Sequence, residues 1–154
     1  MKKTVKTSEI LSVYQIIGNA KYGKMSDDDK VKVWKIARKL KPVATKFEDD
    51  TKDAADKMKP YEDFDQKLQK AQEYERLKND KKPTIDVMST ADYDKFIADF
   101  KQYKNIVDKA IKEFADKEVE IEFDAISEEA FGKLITSNEW TFGQVTLLGE
   151  FVCE

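Results

Sequence analysis

Residues Glu118 to Phe123 read Glu-Val-Glu-Ile-Glu-Phe, and this alternation constrains the chain more than any other stretch. Val119, Ile121 and Phe123 fall on one side and Glu118, Glu120 and Glu122 on the other, the period-two pattern of a half-buried strand. A lone strand leaves its backbone N–H and C=O groups unpaired. It therefore needs a second strand beside it and an apolar layer over its Val-Ile-Phe face. Met1 to Lys6 alternates weakly around Val5 and is the best partner the chain offers.

The covering layer has to be helical, because most of the remaining sequence repeats at helical period. Thr7 or Ser8 is placed to cap a first helix with Ile10, Tyr14 and Ile17 on one face and Leu11 beside them; Gly18-Asn19 ends it. Ser26 opens a second helix, with Asp27, Asp28 and Asp29 in a first turn where negative charge suits the helix dipole. Its apolar stripe runs Val33, Ile36, Leu40, Val43, Phe47, Thr51, Ala54, Met58, in steps of three and four. Pro42 lies inside that stripe and predicts a kink or a break; the apolar phase holds across it, which favours the kink. Pro60 is placed to open a third helix carrying Tyr61, Phe64, Leu68, Ala71, Tyr74 and Leu77. Asn79 to Pro83 is a charged connection, and Ile85 to Met88 an apolar patch without assigned structure.

Ser89 and Asp92 have capping-box spacing ahead of a fourth helix. Its stripe is Phe96, Phe100, Tyr103, Val107, Ala110 and Phe114, widened by Ile97 and Ile111. From Ser89 to Lys117 this helix spans about 43 Å at the standard rise. Beyond the strand, Ser127 caps a short helix with Ala130, Phe131, Leu134 and Ile135. Thr141 and Gln144 have the spacing to cap a last one over Phe142 to Phe151, with Val145, Leu148 and Val152 on its buried side.

The expected fold is therefore α+β and mostly α, a long antiparallel helical hairpin or three-helix bundle packed on a minimal two-stranded sheet. A chain of 154 residues fits a single domain, 1–154, with long helices over about 26–117 and a small β/α segment over 118–154. Charged residues make up 38%, well above the usual share, which with only 5 Gly and 3 Pro fits solvent-facing helices.

The same totals bound the chemistry. There is no histidine, so the commonest general base and metal ligand is missing. The one cysteine, Cys153, has no partner for an internal disulfide, which fits a reducing compartment, and no histidine to activate it as a nucleophile. The net charge of −3 comes with acidic and basic residues interspersed, so nucleic acid is not an expected partner. No stretch has the length and apolarity of a membrane span or a signal peptide, so the expected location is the cytoplasm or a particle assembled there.

Three glutamates on one strand face would suit acid–base work or a hard cation, but no second set of ligands converges on them, and a solvated face explains them. Helix-start charge explains Asp27 to Asp29, and core packing explains the aromatics of the fourth helix. The glycines form no phosphate-binding spacing. Neither a cofactor nor a metal is expected. Trp34 and Trp140 are different. Trp34 sits beside the main stripe of its helix and Trp140 in a turn, so both are candidate interface anchors.

Leu40-Lys41-Pro42, then Glu118 to Phe123, then Leu147-Leu148-Gly149-Glu150-Phe151 follow a familiar order. It resembles a family of small bacteriophage and prophage proteins of unknown function, in which a long charged helix with a Leu-Lys-Pro-like step is followed by a second long helix running into a Glu-Val-Glu-Ile-type strand. The segment from Pro60 to Met88 is an elaboration on that order. The resemblance implies a phage setting, a virion or assembly component, and brings no catalytic residues with it. The expected function is thus non-enzymatic: protein–protein interaction or a structural role, through a protein partner or self-association. The alternatives are a small acidic inhibitor or adaptor that binds a host protein, and, more remotely, a carboxylate-dependent enzyme.

Overall fold

The computed structural model describes residues 1–154 as six helices and two strands, mostly helix with a minimal sheet, as the sequence pattern requires. Contacts gather into two compact units. One comprises Met1–Asp50 with Glu113–Glu154, the other Thr51–Lys112.

The first unit contains the sheet. β1 (Lys2–Lys6) pairs antiparallel with β2 (Glu118–Glu122), with Lys3 opposite Ile121 and Val5 opposite Val119. The N-terminal segment is thus the partner that the alternating stretch demanded. The pairing continues past both ends of the ladder. The Met1 ammonium donates to the Phe123 carbonyl at 2.8 Å, and the Phe123 N–H donates back to the Met1 carbonyl at 3.0 Å.

α1 (Thr7–Gly18), the first part of α2 (Asp27–Lys57), α5 (Glu128–Thr136) and α6 (Phe142–Val152) bury the Ile121 and Phe123 face of this sheet. Ile10 and Val13 from α1, Ile36 and Leu40 from α2, Leu134 from α5 and Leu148 and Phe151 from α6 are all almost wholly buried. The Phe123 and Phe151 rings stack at 5.6 Å with an interplanar angle of 3°. Each such side chain removed from water contributes about 1.5–3 kcal/mol, so this cluster dominates the stability of the unit. Start signals are met locally. The Ser26, Ser127 and Thr141 hydroxyls accept from Asp29, Ala130 and Gln144 N–H, and Gln144 completes a capping box.

The second unit holds the end of α2, α3 (Phe64–Asn79) and most of α4 (Thr90–Asp116). Its centre is aromatic. Phe64 packs against Tyr103 at 4.7 Å and Phe96 at 5.6 Å, while Tyr74 stacks on Tyr93 at 4.1 Å. Since Phe64 meets the later part of α4 and Tyr74 its beginning, α3 and α4 run antiparallel. Tyr103 donates its hydroxyl to the Ala55 carbonyl at 2.6 Å and so ties α4 to α2.

Several local expectations are corrected. Thr7 does not cap α1; its hydroxyl and N–H both turn to the Lys117 carbonyl. α3 begins at Phe64 rather than at Pro60, which lies in a bend, because Phe64 is the first residue whose burial holds the chain in helix. On α1, Val13 takes the fully buried place and Tyr14 stays half-buried. Ile97 does not widen the α4 core stripe; it is 40% exposed. On α6, Phe151 is buried where Val145 was expected to be, and Val145 is only half-buried. Ile85 to Val87 form a turn, with Val87 N–H donating to the Thr84 carbonyl at 3.0 Å. At Pro42 the break is excluded, in line with the apolar phase that holds across it: α2 is one helix there, with the proline on the exposed side and Leu40 and Ala44 buried on either side of it.

Candidate functional site

In the first unit, α1 and α2 leave an apolar cleft of about 770 Å³ between their outer faces. Leu11, Tyr14 and Gly18 line it from α1; Trp34, Ala37 and Ala44 line it from α2. The α2 positions lie three, four or seven apart, so they share one stripe of the helix. Small side chains at Ala37 and Ala44 set the floor low, and the indole of Trp34 stands at the rim. Trp34 is 55% exposed, with Val31 beside it on the same helix 47% exposed. Large apolar side chains in that position are not explained by packing within the unit.

Polar groups border the cleft. The Arg38 guanidinium lies over the Trp34 ring at 4.8 Å from its centroid, holding the indole in place by a cation–π contact. Lys30 and Glu48 mark the two ends of the α2 stripe. Tyr22 closes one wall, its hydroxyl donating to the Ile17 carbonyl at 2.5 Å; burial pushes its phenol above the usual value.

Trp140 has a different environment. It is half-buried and packs against the core of the first unit, and the exposed aromatic in that region is Phe142, two residues on, at 86%. The two tryptophans therefore do not share a site. Trp34 belongs to the cleft, and Trp140 packs under the turn that leads into α6.

The glutamate row of β2 is solvent-exposed, and the register sets it against basic residues. Lys2, Thr4 and Lys6 stand opposite Glu122, Glu120 and Glu118, and Lys2 reaches Glu120 at 2.8 Å. The row is one half of a mixed-charge face. No group of three or more His, Cys, Asp or Glu is arranged to hold a metal ion. Cys153 pairs by its backbone with Ile126, and burial, with a smaller contribution from Glu128, pushes its thiol up, away from the reactive thiolate. No helix is long and apolar enough to cross a membrane.

One charge pattern departs from the expected interspersion. From Lys30 to Lys46, α2 carries Lys30, Lys32, Lys35, Arg38, Lys39, Lys41 and Lys46, with no acidic residue between them. Lys46 pairs with Asp50 at 2.6 Å and Lys30 with Asp27 at 3.5 Å; Lys32, Lys35, Arg38, Lys39 and Lys41 take part in no ion pair. These five are exposed. The chain-wide balance of charge concealed the run, although the missing acids between Lys30 and Lys46 are visible in the sequence. The cleft itself had no such signal, because Leu11, Tyr14, Ala37 and Ala44 are ordinary helix residues until α1 is laid beside α2.

The chain matches no family model, no curated protein and no solved structure.

Proposed function

We propose that the chain is a non-catalytic protein–protein interaction module and that it docks its partner at the α1–α2 cleft. The observation that carries this reading is Trp34, more than half exposed at the rim of an apolar cleft and held there by Arg38. Tryptophan and arginine are the side chains most enriched among residues that dominate binding energy, and they act in apolar pockets of this kind. The Lys2–Glu120 ion pair, and lysines standing opposite Glu118 and Glu122 in the ladder, weigh against an acidic mimic of nucleic acid. The phage or prophage setting, with the protein in the cytoplasm or assembled into a virion, rests on the resemblance carried by Leu40 to Pro42, Glu118 to Phe123 and Leu147 to Phe151.

The test is a photo-crosslinking amino acid placed at Trp34, with a second at exposed Lys101 on α4 as the control, irradiated in cells that carry the gene. A covalent adduct of defined mass from position 34 and none from position 101 is the expected result. No adduct from position 34 in folded protein overturns the reading.

A further inference from the structure

The apolar cleft and the unpaired basic residues lie on adjoining faces of one helix, and their combination specifies a chemistry that neither specifies alone. On α2 the cleft stripe runs Lys30, Trp34, Ala37, Ala44, Glu48, which at the standard helical rise is about 27 Å, or roughly five turns of an opposing helix. Lys41 falls on the same stripe, between Ala37 and Ala44, and Arg38 lies one turn beyond Trp34. Both are exposed and form no ion pair, and Arg38 lines a second cleft with Glu122 and Asp124 of the strand end. A ligand lying along this groove therefore meets small apolar side chains and an indole beneath it and, along its flank, cations held in no ion pair, with the Glu48 carboxylate at one end.

We propose that the cleft receives an amphipathic α-helix of a partner protein, one whose apolar stripe enters between α1 and α2 and whose flank carries carboxylates toward Arg38 and Lys41. This rests on the interaction reading above and adds the chemistry of the partner. Apolar anchors spaced three and four apart fill the groove over Ala37 and Ala44 against Trp34, the helix-in-groove mode of recognition. The acidic flank supplies the charge complement, which speeds encounter and rejects basic helices. The unpaired cations also raise the question of nucleic acid. A single-stranded chain is held by successive exposed aromatic platforms along a basic track, whereas here one indole is exposed and Arg38 covers it, and the other aromatics of the groove, Tyr14 and Tyr22, are half-buried in its walls.

The experiment uses the full chain with Trp140→Phe, so that Trp34 is the one indole reporting by fluorescence. Two synthetic helical peptides of about 18 residues, enough for five turns, share the same leucines at helical spacing and differ in carrying Glu or Lys on their flanks. A fluorescein-labelled oligothymidine of about 20 nucleotides serves as the third probe. The Glu peptide is expected to shift Trp34 emission and to bind at least about tenfold more tightly than the Lys peptide, with an affinity that falls as salt rises. The double variant Arg38→Glu, Lys41→Glu should invert that preference while keeping the native circular dichroism, since both side chains are exposed. Equal binding of the two peptides, binding of neither, an uninverted preference in the double variant, or binding of the oligothymidine in place of the peptide each overturns the proposal. So does a concentration-dependent dimer that shields Trp34, which would give the cleft to a second copy. A crosslinked adduct at position 34 together with peptide failure would leave the interaction reading standing and remove only the acidic helix.

Discussion

Thr7 gives both its backbone N–H and its hydroxyl to one acceptor, the carbonyl of Lys117, each at 2.9 Å. Lys117 stands directly before β2, and Thr7 directly after β1, so this pair carries the antiparallel ladder one residue further into the first turn of α1. The side chain that sequence alone would assign to a helix cap instead fastens the helix to the sheet, and Thr7 is 4% exposed as a result.

Thr7→Val keeps the shape and the backbone bond and deletes only the hydroxyl. The Lys117 carbonyl retains the Thr7 N–H, so the loss should be about 1 kcal/mol, the usual net worth of one hydrogen bond. Urea unfolding of the two proteins measures it. An unchanged midpoint would mean that the hydroxyl adds nothing beyond the N–H.

Gly149 brings the backbone of α6 against the ring of Phe131 on α5. A Cβ at position 149 would sit 2.9 Å from Phe131 Cε1 and 3.3 Å from Cζ. That ring is 8% exposed within the core and has little room to withdraw. Alanine is the better helix former by about 1 kcal/mol, so on an open helix face Gly149→Ala would stabilise the protein. Here overpacking should win and cost about 1–3 kcal/mol. Thermal unfolding decides the sign, and Gly132→Ala, with nothing within 4 Å of its added Cβ, is the control expected to move the other way.

Tyr93 donates its hydroxyl to the Glu75 carboxylate at 2.6 Å, and its phenol is pushed up from the ordinary 10.0 to about 12, first by burial and then by that carboxylate. A folded-state value above the unfolded one means that the folded chain holds the phenolic proton longer. The stability this supplies is complete below pH 10 and disappears as the pH rises through 12. Phenolate absorbance should therefore show one late-titrating tyrosine. Glu75→Gln should bring its midpoint down toward 10.0. A midpoint unmoved by that substitution would assign the shift to burial alone.

Where periodic pattern and local chemistry agree, the chain could be read without its fold. The Glu118–Glu122 strand and its pairing with Lys2–Lys6, the long run of α2 from Ser26, the start of α5 at Ser127 and the capping box of Thr141 and Gln144 all follow from side-chain spacing and from orphan N–H groups near the acceptor that serves them. Those are short-range relations, and short-range relations are written in sequence. Thr7 broke the pattern because its N–H and hydroxyl both donate to a carbonyl 110 residues away, which makes it the first residue of α1 rather than its cap. Pro60 broke it because the burial of Phe64, not the fixed backbone angle of a proline, sets where α3 begins.

The candidate site divides in the same way. Trp34 could be singled out because it lies off the apolar stripe of its own helix, and the run of cations from Lys30 to Lys46 is a property of α2 alone. The sequence by itself thus determined the elements, the strand pair and the side chains with no place in a core. Only the tertiary structure decided that Leu11 and Tyr14 of α1 stand across from Ala37 and Ala44, that Trp140 packs inward while Trp34 stays out, and that Lys2 pairs with Glu120 on the β2 face. A cleft is the space between two helices, and its existence depends on how closely their side chains let them approach, which no single helix encodes.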